Sequence, residues 1–582
     1  MNSKKNIQSI LFIEFGSVNT RASLFEKKNG NNFSFSGASS VRTTNADLTS
    51  SVYEGMIDCI QKLEKASGRK ILDQNHTIIT PQRPDSCGID QISAVYSCAG
   101  KPAIVLVGVT HDGSCRNMRE LLLNAGLKPK AEIAAIDGES STASIDKILN
   151  TDPDMILIGG GTEGGARKAL YRLGEIIMLS CRSIPKEQRP VLLFMGNSEA
   201  VKLYERVFGR IAIFDTAPNV LEPFASPSQS SFLSFEKTLQ DFACSRVSGL
   251  NLFRERTKND PIPCEIAFGR CLRLLSRLTK QNRSVIGIDV GANQTLYGSA
   301  NNLDLNLSVL PIGMGQTLPE ILNRFTLEEI QKKISFQLTQ SEIHDYITNK
   351  SVHPGLIPSN QYSREVEQVL CRHVLLTCMQ DPAFQNTVKS GMISMVLLSG
   401  SVLRNVNDPG DSLMIAMDGL HIPGAIDYYL DMNELSSAIG AMVTENEDLA
   451  ADIASPSSFL YLGKVITPIS TAKPGKKILS ISIRDESGKV EKFDLTQGTI
   501  FHIPLKNAGY YELDWLDIQN GTEISGVKTW TPISFKSGYY GIIFDCRGKD
   551  IQLPSKRDEQ INILRTWRKE IGFWNDEGQN AG

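Results

Sequence analysis

One short pattern occurs at two places far apart in the chain, and the repetition limits the fold more than any other feature. Ile10 to Glu26 reads ILFIEFGSVNTRASLFE, and Val285 to Ala300 reads VIGIDVGANQTLYGSA. In each, a carboxylate closes an apolar strand (Glu14, Asp289) and a glycine follows two residues later (Gly16, Gly291). A threonine stands four residues beyond each glycine (Thr20, Thr295). Glycine lets backbone N–H groups approach an anion with no Cβ in the way. Hydroxyls add donors, and a strand-end carboxylate can hold a hydrated magnesium ion or orient water beside a phosphate. One such hairpin is a common turn. Two in the same order point to duplicated phosphate loops.

Composition sets the frame around them. A chain of 582 residues holds about three or four domains. Hydrophobic residues at 41% and charged residues at 21% describe an ordinary soluble globular protein. The net charge of −3 argues against a nucleic-acid surface. No apolar run approaches the ~20 residues of a membrane span. Two lysines precede the first apolar stretch, but Glu14 interrupts it, so it reads as a strand and not a secretion signal. The 11 cysteines are scattered and form no Cys-x-x-Cys pair. Free thiols in a reducing cytoplasm are expected, with no structural metal.

The apolar periodicity divides the chain. Residues 1–92 open with a three-strand meander turning at Lys27 to Asn32, followed by a helix near Leu48 to Ala66 with Val52, Met56, Ile60 and Leu63 on one face. Residues 93–215 alternate strand-like runs (AIVLVGV, EIAAI, MILIGGG, VLLFMGN, RIAIFD) with helical segments, which predicts a Rossmann-like βα insert on a parallel sheet. Residues 216–280 read as a mainly helical link, with a loop at Ser226 to Ser231. Residues 281–453 carry the second hairpin and its helices. After a boundary at Ala454 to Ser458, short alternating strands predict a small all-β region over 454–582, closed by a helix near Gln560 to Ile571.

The paired hairpins resemble the phosphate loops of the actin, sugar-kinase and heat-shock-chaperone ATPase superfamily. More narrowly, YSCAGKPAIVLVGV, PDMILIGGGTEGG, LPIGMGQTLPEIL, NKSVHPGLIPSNQYSREVEQVLCRHVL and LDMNELSSAIGAM resemble the glutamate-mutase-associated L proteins, accessory proteins found beside cobalamin-dependent mutases. The resemblance implies an α/β fold of two actin-like halves, with the βα insert in the first and the all-β region at the end, and Glu14 and Asp289 facing one cleft. It further implies ATP or ADP with magnesium. Asp289 and Glu14 would hold the metal through water and serve catalysis. Gly16, Ser17, Thr20, Arg21, Gly291, Asn293 and Thr295 would line the phosphates, and Ser399, Gly400 and Ser401 the adenosine side. A protein partner is implied, a cobalamin-dependent mutase being the example; nucleic acid and membrane are not.

Departures from the family pattern bear on chemistry. Glu14 stands where aspartate is usual. In DVGANQTL, Ala292 replaces a glycine, Gln294 a threonine and Leu296 an aspartate. Gly400-Ser401 replaces a glycine pair. Hydrolysis is therefore expected to be weak or absent.

Other segments read two ways. Asp289 serves a phosphate loop or caps its own turn. Thr20 and Arg21 are ligands or ordinary strand residues. GGGTEGG (Gly159 to Gly165) binds an anion at a helix start or is a tight turn needing positive φ. VTHDGS places His111 as in a cobalamin-ligating Asp-x-His-x-x-Gly loop, yet Val109 replaces the aspartate and Gly113 comes one residue early, so a polar loop tip is expected and cobalamin is not. Arg547 binds an anion or pairs with Asp545. Three functions compete: a nucleotide-dependent accessory protein, a pseudo-ATPase scaffold that binds partners, and a small-molecule kinase. No segment supplies the base or substrate pocket that the last requires.

Overall fold

Gly16 turns the first apolar strand back on itself: β1 (Ser9–Phe15) pairs antiparallel with β2 (Asn19–Lys27), with Glu14 opposite Arg21. The computed structural model describes residues 7–27, 33–44, 51–221, 228–279, 283–302, 304–454, 458–505, 509–528, 531–548 and 551–571. The turn expected after Lys27, the first residues of the expected 48–66 helix, the first two residues of the loop expected at 226–231 and most of that at 454–458 lie outside them. The rest of the 226–231 loop is instead a helix start, with Ser228 capping the helix Gln229–Arg246. The chain forms two compact units, Met1–Gly30 with Phe35–Ala267, and Asn31–Ser34 with Phe268–Gly582.

In the first unit, β3 (Phe33–Arg42) flanks β2, and β4 (Gln91–Tyr96) runs parallel to β1. The helix Val52–Ser67 starts where Ser51 accepts a hydrogen bond from the Tyr53 N–H and stops at Gly68, whose φ of 72° is open to glycine without strain. Its Val52, Met56, Ile60 and Leu63 are buried against Leu11, Ile13, Leu24 and Ala94, as the spacing predicts. The insert follows as β5 (Ile104–Gly108), β6 (Ala131–Ala134), β7 (Met155–Gly160), β8 (Val191–Gly196) and β9 (Phe214–Thr216), all parallel in the order β6-β5-β7-β8-β9. Helices Arg116–Asn124 and Gln229–Arg246 cover one face; Arg167–Ser183 and Ser198–Phe208 cover the other. Burial on both faces is why the central strands β5, β7 and β8 are continuously apolar, while the edge strands β6 and β9 carry Glu132 and Asp215. The chain then returns to the first sheet as β10 (Ile262–Pro263), beside β4.

The second unit repeats the meander. β11 (Ser284–Val290), β12 (Thr295–Ala300) and β13 (Leu305–Leu310) are antiparallel; β14 (Ile393–Ser399) and β15 (Gly424–Leu430) continue parallel to β11. The strand orders β3-β2-β1-β4-β10 and β13-β12-β11-β14-β15 are the same topology twice. That is the duplicated actin-like ATPase fold.

The C-terminal segment is shared between sheets. β16 (Leu460–Thr467) pairs with β15; the small strands β17 (Ile469–Ser470), β18 (Lys477–Asp485) and β19 (Val490–Thr496) follow. Then come β20 (Ile500–Ile503), β21 (Tyr510–Ile518), β22 (Thr522–Glu523), β23 (Ile533–Lys536) and β24 (Ile542–Asp545). β16, β24 and β20 extend the second unit's sheet to 8 strands, while β19-β18-β21-β23 forms an antiparallel sheet over its own core of Ile481, Leu495, Leu513 and Phe535. Among the described residues no helix is long and apolar enough to cross a membrane.

Candidate functional site

Both hairpins close by the same bond. The Gly16 N–H donates to Asn19 O at 3.1 Å, and the Gly291 N–H donates to Gln294 O at 3.0 Å. A Cβ at Gly16 would lie 2.4 Å from Asn19 O, and one at Gly291 2.8 Å from Gln294 O. These glycines are required by the turn itself. Glu14 and Asp289 are half-buried at equivalent strand ends, but their cross-strand neighbours differ: Arg21 faces Glu14, whereas Leu296 faces Asp289. Both neighbours are buried.

The threonines are fully buried, and each has its proton committed within the protein. Thr43 donates its hydroxyl proton to Gly16 O (2.8 Å), so the 3.1 Å contact between Thr20 and Thr43 has Thr20 as donor. Thr295 donates to Ile312 O at 2.9 Å. The two therefore tie their loops to the end of the third strand. Ser17 and Asn19 are exposed on the first loop.

The second loop is clamped by LPIGMGQT. The Met314 N–H donates to Gly291 O (2.9 Å), Thr317 Oγ1 to Asn293 O (2.9 Å), and the Gly313 N–H to Thr317 Oγ1 (2.9 Å). A Cβ at Gly313 would lie 2.5 Å from Gly291 O, and one at Gly315 3.1 Å from the Ala292 methyl. Ala292 fits because both clamp residues are glycine. Asn293 donates to Gln316 at 3.2 Å, while its buried Oδ1 has no partner.

β14 ends beside β11, with Ser399 opposite Asp289. Gly400 has φ 105°, and a Cβ there would lie 2.3 Å from Val290 O. Ser401 opens the short helix Ser401–Arg404. Asp431, which the sequence reading did not single out, lies fully buried just past β15. It accepts from the Leu435 N–H (2.8 Å), the Ser436 N–H (2.9 Å) and Ser399 Oγ (3.3 Å). Its signal in LDMNELSS is an acid placed before a helix start. Thus Asp289, Ser399, Gly400 and Asp431 gather at the carboxyl ends of three adjacent parallel strands, the edge where such sheets bind ligands.

Elsewhere, Arg547 is buried and pairs with Asp545 and Asp418, an internal ion-pair network. In the insert, Gly160, Gly161 and Gly164 all have positive φ, and Glu163 of that loop accepts from Ser198 and Asn219.

The repeated topology and the paired hairpins define a protein of the actin-like ATPase fold. A family model described as MutL protein matches residues 10–457, and the chain belongs to that family. No curated protein matches its sequence. Solved structures similar to it include an acetone carboxylase in its nucleotide-free form (10% identity, 86% of this chain and 82% of that one, TM-score 0.34). Component A of the Acidaminococcus fermentans (R)-2-hydroxyglutaryl-CoA dehydratase is similar at 10% identity over 76% of this chain and 99% of that one, TM-score 0.28. A ligand-bound xylulose kinase from Lactobacillus acidophilus is similar at 8% identity over 79% and 93%, TM-score 0.33.

Proposed function

We propose that the two hairpins are phosphate loops for a magnesium–nucleotide, and that the chain is an accessory protein of the glutamate mutase L type, binding ATP or ADP to act on a partner enzyme. One observation carries the reading: the same glycine-closed turn, carboxylate and third-strand tie occur in both units. The fit to a nucleotide is uneven. The exposed Ser17 hydroxyl suits a phosphate oxygen as a donor, whereas the orphaned Asn293 Oδ1 is an acceptor and suits a water, including one bound to a metal, and not phosphate itself. Glu14 and Asp289 suit a hydrated magnesium ion. Thr20 and Thr295 hold the loops in shape. The nucleotide supplies the differential binding energy that shifts the protein between states; these residues orient it. The segments resembling the L proteins support a cobalamin-dependent mutase as the partner.

A pseudo-ATPase scaffold is the second reading. It is favoured by Leu296, which is buried opposite Asp289 where the family pattern has an acid.

Calorimetric titration with Mg·ATP and Mg·ADP separates the two, because a scaffold binds neither. Asp289→Asn is expected to weaken Mg·ATP binding about tenfold, ~1.4 kcal/mol, and Glu14→Gln less, because Arg21 already faces Glu14. Asp545→Asn should leave binding by the folded protein unchanged, since Asp545 belongs to the internal network with Arg547. Equal loss in all three variants would place the nucleotide elsewhere.

A further inference from the structure

The carboxyl end of β5 carries chemistry that the hairpins do not use. His111 to Cys115 form a single π-helical turn leading into the helix Arg116–Asn124. Such turns are rare and are frequent at functional sites. The widened turn is pinned by the Cys115 N–H on Thr110 O (3.1 Å) and by Ser114 Oγ, which accepts from the Val109 N–H at 2.8 Å. Parallel pairing sets β6 alongside, with Glu132 opposite Leu106. Ligand atoms of His111, Cys115 and Glu132 consequently lie within 4.8 Å of one another.

The two imidazole nitrogens have different neighbours. Nε2 lies 2.6 Å from Asp137 Oδ1, and Nδ1 lies 3.8 Å from Glu132 Oε2. Asp137 is itself fixed, its Oδ2 accepting from the Ala134 N–H at 3.1 Å. An Nε2–H donated to Asp137 leaves the Nδ1 lone pair directed towards Glu132. A carboxylate behind one nitrogen, with ligands before the other, is the usual setting of a metal-binding histidine.

We infer that His111 Nδ1, Cys115 Sγ and Glu132 Oε2 form a binding site for a divalent transition metal of the zinc class, with Asp137 as the orienting carboxylate. The mixed N, S and O donor set suits zinc and excludes magnesium or calcium, which take oxygen. Metal–ligand lengths of about 2.0–2.3 Å place tetrahedral ligand atoms roughly 3.3–3.8 Å apart, so the cluster need contract by only about 1 Å. Charge also balances. Arg119 holds Glu132 through both carboxylate oxygens, at 2.8 and 2.6 Å. Thiolate, Glu132 and Asp137 against Arg119 leave the two negative charges that a divalent ion neutralises. The His111 side chain is 42% exposed, which gives the ion a route in and leaves a coordination position for water.

Cobalt(II) reads this site apart from any magnesium site, because only a thiolate ligand gives an intense near-ultraviolet charge-transfer band. Full-length protein freed of metal by chelation should bind one equivalent of Co²⁺ with that band, and Zn²⁺ should displace it. Cys115→Ser should abolish the band. His111→Ala and Asp137→Asn, both at exposed or half-exposed positions, should weaken binding about 10–100-fold while the protein stays folded by circular dichroism. No band in the unmodified protein would overturn the proposal. So would a band that survives in Cys115→Ser, or one unchanged in both His111→Ala and Asp137→Asn.

Discussion

The loop after β1 is tied down by two hydroxyls in series, Thr20 to Thr43 to Gly16 O, and its tip residue Ser17 is exposed. The loop after β11 is gripped by a folded segment, with Met314, Gln316 and Thr317 bonded into it and Gly313 holding Thr317 in place, and its residues are half-buried. The turns match while their supports do not. Two of the three substitutions in the phosphate-loop pattern of the second hairpin are packing residues in this light. Ala292 fills the space two glycines leave and Leu296 joins the core, whereas the bond that closes the turn uses the backbone carbonyl of Gln294, which any residue at that position would supply. The second loop has traded polar groups for anchorage; the first has kept an exposed hydroxyl and a cation beside its acid.

Acid is expected to separate the loops most strongly. His373 is 2% exposed on the helix Gln361–Cys378, which packs in the core that also holds Leu310, Ile312 and Met314 from the clamp. It bonds Val369 O at 2.7 Å and meets the Phe325 ring at 4.8 Å. Burial pulls its pKa down to about 4, against the Val369 hydrogen bond that favours the charged form. Between an unfolded value near ~6.5 and the folded one, the unfolded chain binds the extra proton, so stability falls as pH falls. The loss approaches roughly 3 kcal/mol by pH 4. Unfolding of the second unit followed by hydrogen exchange should move through this window, and His373→Leu should flatten the slope. An equal slope in that variant would assign the acid limb to other groups.

Variants of the two supports come next in size. Gly313→Ala drives a methyl into Gly291 O and Ala292, and should cost about 1–3 kcal/mol. Thr43→Ala removes one hydroxyl link from the first loop and should cost about 1 kcal/mol. Denaturant titration of both measures the asymmetry directly. If Thr43→Ala were the costlier, the first loop would be the more firmly held, and the comparison above would be inverted.

How far the sequence carried this picture depends on the range of the contact. The insert's central strands β5, β7 and β8 were legible as apolar runs because burial on both faces leaves a local signature, whereas of the run RIAIFD only Phe214 and Asp215 lie in the edge strand β9. So were the hairpins, since glycine two residues past a carboxylate marks the turn within one segment. The addition of β16, β24 and β20 to the second unit's sheet was not legible, because strand pairing across long separations has no local pattern. The same holds within the sites. Thr20 and Thr295 look like phosphate donors until Thr43 and Ile312 are brought beside them. His111 looks like a loop tip until β6 carries Glu132 alongside.

The smallest expected signal is catalytic, and it tests the comparison at its root. Phosphoryl transfer is accelerated mainly by positioning the nucleophile and neutralising developing charge, and loss of one well-placed group costs about 10²–10³ in rate. The second loop lacks a hydroxyl at Gln294 and an acid at Leu296, Thr295 has its proton committed to Ile312 O, and Glu14 faces Arg21. Purified protein should therefore hydrolyse ATP far below the ~10 s⁻¹ typical of enzymes. Glu14→Asp, Ala292→Gly and Gln294→Thr together should raise turnover, since each restores the pattern without disturbing a core contact. Adding Leu296→Asp should destabilise the second unit, because it buries a carboxylate directly opposite Asp289. A steady-state phosphate-release assay on the unmodified chain decides the matter. Turnover at ordinary enzyme rates would mean that the anchored second loop is fully competent, and that its substitutions cost no chemistry.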